Sequence, residues 1–412
     1  MNNINLESIK KAKQDFWDFI ENTPLLFSKR LSKKYDAEIY IKREDLQAVR
    51  SYKVRWAFNK INSLNLEEKK SWIVCASAWN HAQWVAITCK YLKIKWTIFM
   101  PITTPEQKVY KTKQFWGEFV EVILIWDTFD DALKEAFLFQ EKNKLSFIHP
   151  FDDYKVIEWQ ATVSLEIFEK ISPDFLIAPI WWGGFISGQI LAKNILSPKT
   201  KIIWVEPTWA KAMKDSLKNW KNIELENINV FVDWAAVKKE WEKTFEICKQ
   251  ENLEIIDCPE NRICSTILEF LREDGIVVEP AWALTTDALK DLKDRIIWKK
   301  VVIVISGSNF DFERLPEIKE RSMKYEWLKK YFLLSFPQRP WALKDFLSVL
   351  WEWDDIERFE YLKKSAKNTA PVFIWIKTKD KKNWERIEKN MQNLGFKYKD
   401  VTNDELYFDL LV

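Results

Sequence analysis

Lys53 stands in the run Ser51-Tyr52-Lys53-Val54-Arg55-Trp56, between a polar loop and a helix-patterned segment in which Ala57, Phe58 and Ile61 are apolar and Asn59 and Lys60 polar. An amine held there, out of bulk solvent, can attack a carbonyl and can carry a proton. Alone it is a weak signal, because most lysines among 64 Lys and Arg residues are solvated surface charges. Three other stretches could share the work. Trp181-Trp182-Gly183-Gly184-Phe185 follows a buried-strand pattern ending in Ala178-Pro179-Ile180 and precedes the helix-like Ser187–Lys193. Glycines opening a helix present backbone N–H groups and the helix dipole to a phosphate, although the same pattern also suits a plain two-glycine turn. Ser77-Ala78-Trp79-Asn80-His81-Ala82-Gln83 is a polar loop after an apolar run, and Ser306-Gly307-Ser308-Asn309 by itself reads as a turn.

The elements that must position these residues alternate along the chain. Residues 5–22 predict an amphipathic helix leading to the turn Thr23-Pro24-Leu25, and Glu38-Ile39-Tyr40-Ile41-Lys42 alternates as a half-buried strand does. Short apolar, β-branched runs then recur at 72–76, 96–100, 119–124, 175–178, 201–205 and 301–305, separated by helical patterns. Strands that are apolar almost throughout, alternating with helices, predict a parallel α/β fold. In such sheets ligands sit beyond the carboxyl ends of the strands, where the four stretches fall. Past residue 320 the pattern changes. Strand-like 331–337, helical 341–347, strand-like 359–361 and 372–376, and an amphipathic helix over 382–394 predict one βαββαβ-like α+β unit of about 80 residues.

Composition narrows the function classes. At 412 residues the chain can form two or three domains with real cores. A net charge of +3 from balanced totals gives no nucleic-acid footprint and no attraction to membranes. No apolar run reaches about 18 residues, and the N-terminus MNNINLESIKKAKQ lacks the apolar core of a signal peptide. Five scattered cysteines without a CxxC pair argue against a disulfide framework and fit a reducing cytoplasm. With only His81 and His149 available, a His-rich zinc site or a Ser-His-Asp triad has little to draw on.

Taken together, the four motifs resemble the pyridoxal-phosphate enzymes of fold type II, and among them the threonine ammonia-lyases (biosynthetic threonine dehydratases), nearly end to end. The resemblance implies a catalytic part over 1–320 built of two parallel-sheet α/β subdomains, the smaller at roughly 50–155. A linker at 321–330 and an ACT-like regulatory domain at 331–412 would follow; FPQRPWALKDFL and DDIERFEY carry the likeness there. Lys53 matches the family's Schiff-base lysine. Asn80 matches the residue that hydrogen-bonds the pyridine 3′-oxygen, and the amides from Ser77 to His81 would hold the substrate carboxylate. Ala78 stands where related serine racemases carry a hydroxyl, which favours elimination. Trp181, Trp182, Gly183, Gly184 and Phe185 occupy the phosphate loop, Ser306 faces the pyridine nitrogen, and Glu279 and the loop 233–237 lie near cofactor and substrate. Glu206 matches one ligand of a cation site seen in some relatives, but Lys211 and Ala212 stand where the partner carboxylate is expected, so no metal is expected. The implied reaction is deamination of L-threonine to 2-oxobutanoate and ammonia, with isoleucine or valine as effectors, in a tetramer or dimer. Two alternatives stand beside it: a serine-directed ammonia-lyase or racemase, and a catalytically dead protein whose C-terminal domain still binds an amino acid.

One departure runs through every motif. The chain has 24 Trp and 7 Gly, which together approach the usual glycine share of about 7%. Where the family has glycine, this sequence reads Trp56, Trp79, Trp84, Trp159, Trp181, Trp182, Trp234, Trp241, Trp282 and Trp341. A translation that reads UGA as tryptophan where the cell reads glycine would produce this pattern.

Overall fold

The structure is a computed structural model that describes residues 4–14, 20–48, 50–55, 61, 64, 65, 67, 72–77, 85, 88–104, 106–114, 120–147, 154–181, 183–232, 235–251, 253–305, 307–361, 363, 368–404 and 406–408. The chain forms two compact units, one of Met1–Glu260 with Val277–Phe310 and one of Asn261–Ile276 with Asp311–Val412.

The first unit holds two sheets. One consists of β1 (Leu25–Phe27), β2 (Glu38–Arg43), β7 (Phe175–Pro179), β8 (Lys201–Pro207), β9 (Glu254–Cys258) and β10 (Lys300–Ile305), in the order β1-β2-β10-β7-β8-β9. The other runs β5-β4-β3-β6, from β3 (Ile73–Ala76), β4 (Trp96–Met100), β5 (Val120–Leu124) and β6 (Ser146–Phe147). All pairs are parallel except the edge strand β1, which lies antiparallel on β2 with Leu26 opposite Ile41. The parallel α/β expectation therefore holds, and the apolar runs are the strands. The central strands are covered on both faces, so β4 and β7 are buried at every position, as continuous apolar sequence requires. The first helix spans Leu6–Gln14; residues 15–19 of the longer expected helix lie outside the described residues.

Beneath Lys53 lies a knot of four buried charges. Arg55 meets both carboxylate oxygens of Glu44 at 2.8 Å and those of Glu166 at 2.7 and 2.9 Å. Lys42 donates to Glu166 at 2.5 Å and to the Thr23 carbonyl at 2.7 Å, while Arg55 also reaches the Thr162 hydroxyl at 3.1 Å. Two cations and two anions cancel. The knot ties the end of β2 and the turn Glu44–Leu46 to the buried helix Tyr154–Phe168. Burial pushes the Glu44 carboxyl up, and the charges of Arg55 and Lys42 more than reverse this, so it stays ionised. Removing one partner strands a buried charge, which costs about 3–5 kcal/mol.

The second unit contains the expected βαββαβ order. Strands β11 (Lys329–Pro337), β12 (Asp355–Tyr361), β13 (Thr369–Lys377) and β14 (Lys397–Asp400) form an antiparallel sheet, β12-β13-β11-β14, with helices Ala342–Leu347 and Asn383–Asn393 in the crossovers. Alternate residues Phe332, Leu334 and Phe336 of β11 and Val372, Ile374 and Ile376 of β13 pack with Phe346, Ile387 and Met391. Tyr331, Phe373, Val401 and Phe408 gather in a separate apolar cluster.

Backbone conformation singles out one residue type. Five of the nine non-glycine residues with positive φ among the described residues are tryptophans: Trp126 (57°), Trp220 (53°), Trp298 (59°), Trp327 (57°) and Trp341 (67°). A side chain in that left-handed region costs roughly 1–2 kcal/mol. All five indoles are exposed, from 46% for Trp327 to 87% for Trp298, so packing does little to offset the strain.

Replacing Glu166 with alanine should lower the unfolding free energy by about 3–5 kcal/mol, read as a shift of the urea midpoint. An unshifted midpoint would mean that the knot is not a structural constraint.

Candidate active site

Lys53 is held from two sides. The Arg55 knot anchors the chain after it, and Ser51 before it forms an isolated antiparallel bridge with Gly307 just past β10, joined by the Ser308 amide donating to the Arg50 carbonyl at 3.0 Å. Lys53 is 2% exposed, with Nζ 4.4 Å from the ring centre of Trp181. Burial pushes its amine down to about 7, partly opposed by the negative charge of Glu279. Near neutral pH a large share of the amine is therefore unprotonated and nucleophilic, which a solvated lysine is not. Glu279 precedes the helix Pro280–Asp287; it accepts from the Asn309 amide at 2.7 Å and from Trp282 Nε1 at 3.1 Å.

The glycine loop lies alongside. Gly183 has φ of 80° and caps the helix Gly184–Leu196 just beyond β7. A Cβ at Gly183 would meet the Thr244 side chain at 2.4 Å, so conformation and space both demand glycine. The N-terminus of a helix of this length is an anion cradle. Phe185 touches Tyr52 edge-on at 4.7 Å between ring centres, which brings this loop to the lysine loop. Sequence reasoning singled out Lys53, Gly183, Gly184, Phe185 and Glu279; the fold sets Phe185 against Tyr52, next to Lys53, and brings the Glu279 charge to bear on the Lys53 amine. It missed Tyr52, Arg55 and Thr244, whose contacts cross long stretches of sequence and leave no local signal. Ser77 is buried at the end of β3, its amide donating to the Phe99 carbonyl at 2.9 Å. Ala78, Asn80, His81, Trp182, Asp233, Trp234 and Ser306 lie outside the described residues.

Residues 16–307 match the pyridoxal-phosphate dependent enzyme family, and residues 320–411 match the C-terminal regulatory domain of threonine dehydratase. The biosynthetic L-threonine dehydratase of Halalkalibacterium halodurans is 48% identical over 415 residues, covering 100% of both chains. That of Bacillus subtilis is 44% identical over 412 residues, covering 99% of this chain and 98% of its own. The chain belongs to the biosynthetic L-threonine dehydratases. Among solved structures, the processed threonine deaminase isoform 2 of Solanum lycopersicum is similar at 31% identity, with a TM-score of 0.72 over 77% of this chain and 89% of its own. Maize serine racemase is similar at 26% identity, with a TM-score of 0.71 over 78% and 98%.

The cofactor of this dehydratase family is pyridoxal phosphate, which supplies an electron sink for charge developing at the substrate Cα. The backbone of the site fits it: a buried amine, a left-handed glycine cap and a helix N-terminus converge. Two side chains do not. The indoles of Trp181 and Trp282 pack against each other at 3.9 Å between ring centres, and Tyr52 closes on Trp181 at 4.8 Å. Trp282 Nε1 lies 2.2 Å from where a Cβ on Gly307 would stand. Trp181 is itself buried, and its indole N–H finds no acceptor among the described residues, a defect worth about 1–3 kcal/mol. Trp181 thus lies against the Lys53 amine and is packed by Trp282 and Tyr52.

No group of three or more His, Cys, Asp or Glu side chains suited to a metal ion occurs among the described residues. Glu206 accepts the amides of Met213 and Lys214 at 3.0 and 2.9 Å, and burial raises its carboxyl to about 8. Glu240 is buried, neither of its carboxyl oxygens has a hydrogen-bond partner among the described residues, and burial together with the Glu206 charge holds its pKa far above the usual range.

Two measurements follow. Carbamylation of Lys53 by cyanate, read by peptide mass spectrometry, should rise with a midpoint near pH 7, and Glu279→Gln should move that midpoint lower. A midpoint near the ordinary lysine value of about 10.4 would show that the amine is solvated. For Glu240 the native carboxyl keeps a proton that the unfolded chain releases above pH 4.5, so stability falls as pH rises beyond 4.5. Glu240→Gln should flatten that fall between pH 5 and 8 in urea titrations; an unchanged pH slope would refute the assignment.

Proposed function

We propose that the protein converts L-threonine to 2-oxobutanoate and ammonia, the first step towards isoleucine, with L-serine as a slower substrate. The observation that carries this reading is the buried, half-neutral Lys53 amine beside Glu279 and the Gly183 cap, in a chain 48% identical along its full length to a biosynthetic L-threonine dehydratase. In this reading Lys53 holds the cofactor and moves the proton at the substrate Cα. The backbone amides from Ser77 onward grip the substrate carboxylate, and Asn80 and Ser306 hold the cofactor ring. Gly183, Gly184 and Phe185 cradle its phosphate, in a loop that Trp181 and Trp182 complete. Ala78 has no proton to give on the opposite face, which favours elimination over the racemisation of the serine-directed alternative.

Residues 1–320 would form the catalytic domain and 321–330 a linker. The domain at 331–412 would bind isoleucine or valine and bias the catalytic part by its differential affinity for two states. A cytoplasmic tetramer or dimer completes the proposal; no described helix is long and apolar enough to cross a membrane.

Protein isolated from the cells that make it should release 2-oxobutanoate from L-threonine, more slowly when isoleucine is present. Lys53→Ala expressed in the same cells should lose about 10²–10⁴-fold or more of that rate. Turnover of serine alone, or racemisation without release of ammonia, would overturn the assignment.

A further inference from the structure

Six helices among the described residues end in the same hydrogen-bonded motif. In each, an amide just past the last turn reaches back to a carbonyl five residues earlier: Ala37 to Ser32 at 3.2 Å, Ile94 to Cys89 at 2.8 Å, Leu145 to Gln140 at 3.0 Å, Lys221 to Ser216 at 3.1 Å, Leu328 to Met323 at 2.9 Å and Phe396 to Met391 at 2.9 Å. This closure places the intervening residue in the left-handed region, where glycine is the usual occupant. One carries Gly395 at φ of 75°, three carry the polar residues Asp36, Lys93 and Lys144 at 49°, 54° and 52°, and two carry the bulky Trp220 and Trp327 at 53° and 57°. The helix starts repeat the pattern. Gly183 caps one helix at φ of 80°, and Trp341 caps Ala342–Leu347 at 67°, its carbonyl accepting from Asp345 at 3.0 Å. Trp126 and Trp298 take the same conformation in turns. Polar residues take this conformation at some cost and glycine without strain, whereas a bulky aromatic is a rare occupant of it.

The interior makes the same demand for a different reason. Trp181 packs between Lys53 and Trp282, and Trp282 crowds the backbone of Gly307. The indole N–H groups of Trp181, Trp204 and Trp375 are buried with no acceptor among the described residues, a defect that buried indoles normally avoid. Surface positions that require positive φ and interior positions that require no side chain have one residue in common. Both sets are written with the amino acid whose excess mirrors the shortage of glycine, 24 against 7.

We propose that the working protein carries glycine at positions 126, 181, 220, 282, 298, 327 and 341, through a codon decoded as glycine, and that the cofactor lies in the space which Trp181 and Trp282 fill in the chain as written. The interior half of this inference rests on the cofactor-dependent reading; the backbone half does not.

Tryptic peptides of the protein isolated from its own cells decide it directly. Masses for glycine at 126, 181, 220 and 327 are expected, and tryptophan there overturns the proposal. A second comparison uses two full-length recombinant chains, one as written and one carrying Trp181→Gly and Trp282→Gly, each incubated with pyridoxal phosphate and dialysed. The substituted chain should retain visible absorbance for about one cofactor per chain, and the written chain almost none; equal retention overturns the cofactor half. Trp220→Gly with Trp327→Gly should raise the thermal midpoint of the cofactor-free protein, and a lowered or unchanged midpoint overturns the backbone half. Glycine in the native peptides without threonine turnover would instead defeat the proposed function alone, and tryptophan with turnover would defeat this inference alone.

Discussion

Arg55 is enclosed by Glu44 and Glu166, Lys42 pairs with the same two carboxylates, and all four side chains are buried. Such a cluster is tolerated only when every charge has a partner, because the desolvation of each ion must be offset by its neighbours. That condition fixes the distance between β2, the turn after it, the lysine loop and the helix Tyr154–Phe168. Lys53, two residues from Arg55, inherits its place from this constraint. Burial of its own amine outweighs the opposing pull of the Glu279 charge, so the amine loses its proton readily. A charged knot thus supports an amine that is itself poorly charged.

The parallel sheet contributes direction. β7 and β10 run side by side, and their carboxyl ends deliver Gly183 and Gly307 to the neighbourhood of Lys53. Glu279, at the start of the helix Pro280–Asp287, is tied to the Asn309 amide. Because each group sits on or next to a regular element, its position follows from sheet register instead of from loop conformation. The second unit has a comparable device: Lys329 is buried between Glu320 and Glu357 and lies 4.3 Å from the ring centre of Trp375. There the ions staple β11 to its neighbours.

The strands were legible because covered parallel strands must be apolar along their whole length, and runs such as Val301–Ile305 can hardly be anything else. The βαββαβ order of the second unit was legible for a related reason, since β11 and β13 alternate residue by residue between two faces. The glycine loop was legible as a motif, and Lys53 by the company of three other motifs. The buried role of Arg55 and Lys42 was not, because a lone cation in sequence is most often a solvated one. Nor was the contact between Gly183 and Thr244, which joins segments about sixty residues apart.

The sequence by itself determined the alternation of strands and helices, the two-part chain and the four motifs, since these depend on local periodicity and residue type. Its imbalance of tryptophan over glycine was visible there too, as a matter of counting. Only the tertiary structure decided which charges are paired away from water, how far burial lowers the Lys53 amine, and which tryptophans stand where the backbone turns left-handed. Each of those depends on what surrounds a residue in space. Desolvation, cross-chain charge pairing and the φ imposed by a closing helix are properties of the packed chain, and no short window of sequence contains them.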